Sequence, residues 1–402
     1  MSIRLVHLVD ENTREDAARL CTLLLRKLPT DEVSQRVIMM GTRPADLVVP
    51  EGVAVRQVAR PRIWPFLWAL PLQRQLRSDR PDAILAWHYA AGAAAGPEWV
   101  RALAAVVSDP DDARETSRWA RAGGGGVLAE ALAGMTQSGS DAFTGRSAFG
   151  SDASDVTPFI CLNGTVRRRL VEAGVPMEST AVIRPGVDFA EIRRARESMN
   201  RERLGLPATG RVFLVPSPAS RTGGQYYAAW ATAILQHIWP DTRLIVPGLS
   251  REQRRIARLI ESIGAGGVYF LPGERHSPAE LLAVADALIV PALGDVPTGW
   301  IPWAMAAGVP IIGSAVPCVT EFIADRRNGF LCAPGEPHTL AVRIRTAFES
   351  PEAMATCVQT ARHEAYETFR TEQCVQEFLK VIRNLAACRP ALAGVQDAAI
   401  DA

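Results

Sequence analysis

The chain has 402 residues, 48% of them hydrophobic and 22% charged, with a formal net charge of +1. This composition fills two or three domain cores and excludes a mainly disordered chain. The near-balanced charge argues against nucleic-acid binding by bulk electrostatics and against attachment to anionic lipid by charge alone.

From the N-terminus, short apolar runs read as strands at 3–9, 36–40, 53–58, 83–86, 104–107, 158–162 and 180–183. Helix-like stretches lie between them, such as 14–27, where Ala17, Leu20, Cys21, Leu24 and Leu28 recur at helical spacing. Strands alternating with helices indicate βαβ units and a mostly parallel sheet. The Gly- and Ser-rich stretch 121–157 interrupts this rhythm and is read as a flexible insert. A second α/β series starts with a strand at 212–215 and continues with strands at 243–246, 268–271, 287–290 and 310–313. A long helical region at 351–387 is expected to break near 368–371. The domain reading is therefore 1–188, a linker at 189–208, a second domain at 209–367, a returning helix at 368–388 and a frayed tail at 389–402. Two doubly wound halves place a ligand in the cleft between them, at the carboxyl ends of the strands.

The first residues read as a strand and not as a signal peptide, and no apolar run is long enough to span a membrane, so a cytoplasmic location is expected. No extended basic amphipathic helix for membrane attachment is evident, so a lipid acceptor is not indicated. Seven scattered cysteines, none in a C-x-x-C pair, make disulfides and a zinc site unexpected. Of 44 basic residues only Lys27 and Lys380 are lysines. No phosphate-loop, H-E-x-x-H or G-x-S-x-G pattern is present.

Four local patterns, in order, carry a resemblance. They are Pro81 through His88, Cys161 through Gly174 continuing to the run Ile183-Arg184-Pro185-Gly186-Val187-Asp188, Arg203 through Pro207, and Pro291 through Leu331 around the run Ala304-Met305-Ala306-Ala307-Gly308. Together they resemble the retaining, group 1 type of GT-B glycosyltransferases, over about residues 3–385. The resemblance implies two Rossmann-like α/β domains facing a central cleft, with a C-terminal helix crossing back to the first. It also implies transfer of a sugar, with retention, from a nucleotide-sugar donor to a carbohydrate or other hydroxyl acceptor. No metal or other cofactor and no nucleic-acid partner are expected.

Where the family places an arginine and a lysine to meet the leaving diphosphate, this chain has Ser217 and Thr222, with Arg221 beside them. The family's two glutamates, on the donor sugar and the ribose, correspond to Asp295 and Trp303. An indole N–H only donates, so Trp303 cannot accept from ribose hydroxyls. Thr298 and Gly299 occupy the diphosphate-facing turn before a helix N-terminus, which presents free N–H groups and a positive dipole end. On the acceptor side, His88 stands at a strand end, and Asp109 with Ser108 replaces a family histidine. The family's glycine pair after the first strand is replaced by Asp10-Glu11-Asn12-Thr13, which reads as a helix cap. His276, beside Glu274 and Arg275, falls near the family's nucleotide-base loop. Two functions remain open: a transferase whose donor is held by Arg221, Asp295 and main-chain amides, and a catalytically inactive GT-B shell serving as a binding or scaffold protein. Ser217, Thr222 and Trp303 favour the second.

Overall fold

The computed structural model describes residues 2–11, 13–44, 46–58, 69–88, 102–108, 159–216, 219–248, 250–271 and 276–387. The insert read at 121–157 and the tail read at 389–402 lie outside these residues. The chain forms two compact units, one made of Met1–Arg184 with Cys374–Ala402 and the other of Pro185–Gln373.

The first unit carries β1 (Ile3–Asp10), β2 (Val33–Met40), β3 (Ala54–Val58), β4 (Ala83–Ala86), β5 (Leu103–Val107), β6 (Phe159–Cys161) and β7 (Thr180–Val182). They form one sheet in the order β3-β2-β1-β4-β5-β6-β7, with every pair parallel. The four residues of β4 and the five of β5 are all buried, which explains why these strands read as unbroken apolar runs: helices cover a parallel sheet on both faces. Helix Glu15–Lys27 lays Ala17, Leu20, Cys21 and Leu24 into the core, the stripe its spacing specifies. The strand order reverses between β1 and β4, where Leu8 pairs with Ala86.

The second unit repeats the plan with β8 (Val212–Leu214), β9 (Arg243–Pro247), β10 (Val268–Leu271), β11 (Ala287–Val290), β12 (Ile311–Ser314) and β13 (Phe330–Cys332). Its order is β10-β9-β8-β11-β12-β13, so the reversal falls between β8 and β11. Both sheets are thus doubly wound, as the alternation of elements predicts.

The stretch read as a linker is not one. Residues Phe189–Ser198 form a helix capped by Asp188, whose carboxylate accepts from the N–H groups of Ala190 and Glu191 at 2.9 and 3.1 Å. Ile192, Ala195 and Leu206 join the second unit's core. The high charge of this stretch hid a narrow apolar stripe. Just beyond it, Arg201 reaches Asp286 at 2.7 Å, and the same carboxylate oxygen accepts from the Val212 N–H at 2.7 Å. Asp286→Ala leaves both donors without their acceptor at the start of β8. It is expected to cost about 1–3 kcal/mol in chemical denaturation, with the melting transition still cooperative.

The helical region at the end divides into Pro351–Thr368 and Thr371–Ala387. At the break, Phe369 O accepts from Val187 N at 2.9 Å and the Thr371 hydroxyl donates to Val187 O at 2.9 Å. Backbone groups freed by the break are thereby satisfied. The last helix begins in the second unit and enters the first at Cys374, where Phe378, Leu379, Ile382 and Leu385 are buried in its core.

Candidate functional site

In the second unit, residues that chain position separates meet at the carboxyl edge of the sheet, beside the β8/β11 reversal. The loop after β8 is held by the side chains of Gln225 and Ser220. Gln225 accepts from Ser220 N at 3.1 Å and donates to Pro216 O at 3.0 Å, while Ser220 Oγ accepts from Gly223 N at 2.9 Å. Gly224 has φ +69°, and a Cβ there would come within 1.9 Å of Pro291 O. The β8 loop therefore lies directly on the segment leaving β11, and Leu293 N donates to Thr222 O at 2.7 Å across that seam.

Of the residues expected to hold a donor, Arg221 is exposed in this loop and makes no ion pair among the described residues. Thr222 is exposed beside it, and its main chain already bonds Leu293. Ser217 lies outside the described residues. On the facing segment Asp295 is half-buried, and Thr298 is 4% exposed. Beneath it, the Cys318 thiol donates to Gly294 O at 3.5 Å. Burial, with nearby Asp295 adding to it, pushes this thiol up to about 11, so it stays protonated at neutral pH.

Gly299 caps helix Trp300–Ala307 without a side chain, and Ile301 N turns back to Thr298 O at 3.0 Å. Pro302 sits in the first turn, where a missing N–H costs the helix nothing. The Trp300 indole N–H is buried and has no hydrogen-bond partner among the described residues, an unusual state for a buried donor. Trp303 is half-buried against the apolar core of the unit, the packing position that its place in an apolar helix favours.

In the first unit, Asp10 and His88 stand at the carboxyl ends of β1 and β4, on either side of the strand-order reversal. His88 Nδ1 lies 2.9 Å from Asp10 Oδ2, and both residues are 5% exposed or less. Asp10 was expected to belong to a helix cap, and the structure corrects this. The next helix is capped by Arg14 without any side-chain bond. The Thr13 hydroxyl instead turns back onto Asp10, accepting from its N–H at 3.2 Å and donating to its carboxylate at 3.4 Å. The pairing spans 78 residues of sequence, so no local pattern announces it. Ser108 is buried, and Asp109 lies outside the described residues.

The residue before His88 is anchored in the core. Trp87 is 1% exposed and donates from its indole to His7 Nδ1 at 3.0 Å. It also stacks on His7 at 5.9 Å and on Phe378 of the last helix at 6.2 Å. His276 lies 3.6 Å from Glu280, whose carboxylate also accepts from Ser277 N in a capping box; this is a helix-start arrangement. Among the described residues no group of three His, Cys, Asp or Glu side chains is placed to hold a metal, and no helix is long and apolar enough to cross a membrane.

Residues 197–364 match the model of the family described as glycosyl transferases group 1. A 138-residue stretch is 28% identical to N-acetyl-alpha-D-glucosaminyl L-malate synthase of Bacillus anthracis, covering 34% of this chain and 36% of that protein. Another of 179 residues is 30% identical to the lipopolysaccharide glucosyltransferase WaaG of Escherichia coli K12, covering 44% of this chain and 47% of WaaG. The chain thus spans about a third to a half of the length of these curated relatives. Among solved structures, Anabaena HepE in complex with UDP-glucose superposes with a TM-score of 0.70 at 20% identity, over 94% of this chain and 99% of that one. The crystal structure of WaaG superposes with a TM-score of 0.65 at 19% identity, over 94% and 99%. Residues 197–364 therefore resemble the glycosyl transferases group 1 family, and the chain as a whole carries the GT-B fold.

Proposed function

We propose that the protein transfers a glycosyl group from a nucleoside diphosphate sugar, in the first instance a UDP-sugar, to a hydroxyl acceptor, without a metal and with retention. The observation that carries this reading is the seam in the second unit. There the Arg221 loop is fixed on the segment that leads through Asp295 and Thr298 into the N-terminus of helix Trp300–Ala307. When the bond to the sugar breaks, negative charge gathers on the diphosphate, and fixed donors aimed at that charge lower the barrier. Arg221 supplies the side-chain cation. The helix N-terminus supplies the positive end of a dipole, and the Trp300 indole is a further donor. Asp295 is assigned to sugar hydroxyls, and His88, held by Asp10, to the acceptor side. HepE, solved with UDP-glucose, supports a uridine donor.

The test is calorimetric titration with UDP, GDP and ADP. Micromolar binding of UDP is expected, weakened at least about tenfold in Arg221→Ala, the loss of one charge-assisted contact. Heat-silent titrations with all three nucleotides at millimolar concentration would overturn the reading. That result would favour the binding or scaffold alternative, which one observation already supports: Trp303 packs on the core and offers no acceptor for a ribose.

A further inference from the structure

Two helices of the second unit carry a surface made of residues other than those assigned to the donor. Helix Arg251–Ser262 follows β9 and buries Ile256 and Leu259. Its opposite face holds Arg251, Arg254, Arg255 and Arg258, all exposed, at the one-face spacing of i, i+3, i+4 and i+7. Arg251, Arg254 and Arg258 make no ion pair or hydrogen bond among the described residues. Against these four the helix sets Glu252, already bonded to Arg255 at 3.1 Å, and Glu261 beyond Arg258.

The stripe is continuous with an aromatic ladder on the preceding helix, Gln225–Gln236, which carries no charged side chain. The Arg255 guanidinium lies 4.4 Å from the centre of the Tyr226 ring. Tyr226 meets Trp230 edge-on at 6.3 Å and Tyr227 edge-on at 5.7 Å. Trp230 is 41% exposed, an unusual position for the largest apolar side chain.

We propose that this face docks the protein on an anionic lipid surface, the arginines meeting headgroup phosphates and Trp230 with Tyr226 and Tyr227 settling at the headgroup boundary. Unpartnered guanidinium groups call for an anionic occupant, and indole and phenol rings are at home where apolar and wet regions meet. A single-stranded nucleic acid is the poorer fit. It needs open ring faces for base stacking, and here Arg255 covers Tyr226 while the rings meet one another edge-on. A chain with a net charge of +1 can still bind in this way, because the attraction acts within a Debye length of the stripe. The short basic amphipathic helix at 251–262 corrects the expectation that none is present; its continuity with the aromatic residues of the preceding helix is what the sequence alone hides.

Cosedimentation with vesicles tests the proposal. Wild type is expected to pellet with equal parts phosphatidylglycerol and phosphatidylcholine and to stay in solution with phosphatidylcholine alone, releasing at high salt. The triple variant Arg251→Gln/Arg254→Gln/Arg258→Gln is expected to lower the partition coefficient about a hundredfold, and Trp230→Ala several-fold, with melting curves unchanged. The corresponding triple lysine variant retains binding. Failure of wild type to bind phosphatidylglycerol vesicles, or equal binding by wild type and the glutamine variant, overturns the proposal. So does tighter binding to a single-stranded oligonucleotide than to vesicles. None of these readouts depends on the nucleotide titration above.

Discussion

Replacing Gly224 by alanine is expected to abolish nucleotide binding and to cost about 2–5 kcal/mol of stability, the sum of a left-handed backbone penalty and an overpacked contact. The glycine has φ +69°, and the added carbon would approach Pro291 O to 1.9 Å. The atom it meets is a main-chain carbonyl oxygen and the Cβ position is fixed by the backbone, so neither can swing away. The β8 loop has to lift from the β11 segment, breaking the Leu293–Thr222 bond and separating Arg221 from the turn at Thr298. Gly205→Ala is the control. It shares the left-handed conformation, at φ +66°, but has nothing within 4 Å of the added carbon. It is expected to cost about 1–2 kcal/mol and to leave UDP affinity unchanged. Equal losses of affinity in the two variants would show that the seam has no part in binding.

Acid is expected to weaken the first unit through His7, by about 3 kcal/mol in total. The ring is fully buried, and Nδ1 accepts from the Trp87 indole, which can only donate. The proton therefore sits on Nε2, directed at Gln35 Oε1 at 3.1 Å. Burial holds the pKa down at about 4, against 6.5 for an ordinary histidine, while the Gln35 contact opposes that shift. In the unfolded chain the same histidine takes up its proton near pH 6.5. Its contribution is thus complete above that value and is lost progressively as pH falls towards 4. Urea denaturation across this window measures the slope, and His7→Gln is expected to flatten it. An unchanged slope in the variant would assign the acid sensitivity to other groups.

The fold was open to reading because parallel sheets covered on both faces demand continuous apolar runs. The fully buried strands β4 and β5 announce themselves in that way, as does helix Glu15–Lys27 through its spacing. Helix Phe189–Ser198 was missed because Ile192 and Ala195 are its only buried residues amid charged neighbours. In the site, the run from Asp295 to Trp300 was visible as a loop entering a helix, since its parts are neighbours in sequence. The Asp10–His88 pair was not, because two strands from distant parts of the chain create it. Gln225 was overlooked for a related reason. Its side chain bonds the main chain of a loop that spacing alone does not close. The Gly223-Gly224 pair preceding it was the one available signal for the close approach of backbone at this edge.

The route of the last helix has a consequence for how the molecule is made. The second unit is a single uninterrupted segment, Pro185–Gln373, whereas the first draws on residues from both sides of it. During synthesis the second unit can close as soon as its own segment has left the ribosome. The first must wait, its apolar groove open, until Phe378, Ile382 and Leu385 arrive to fill it. A nascent chain halted before Cys374 would present that groove to chaperones and proteases, although all seven strands of its sheet had already been translated.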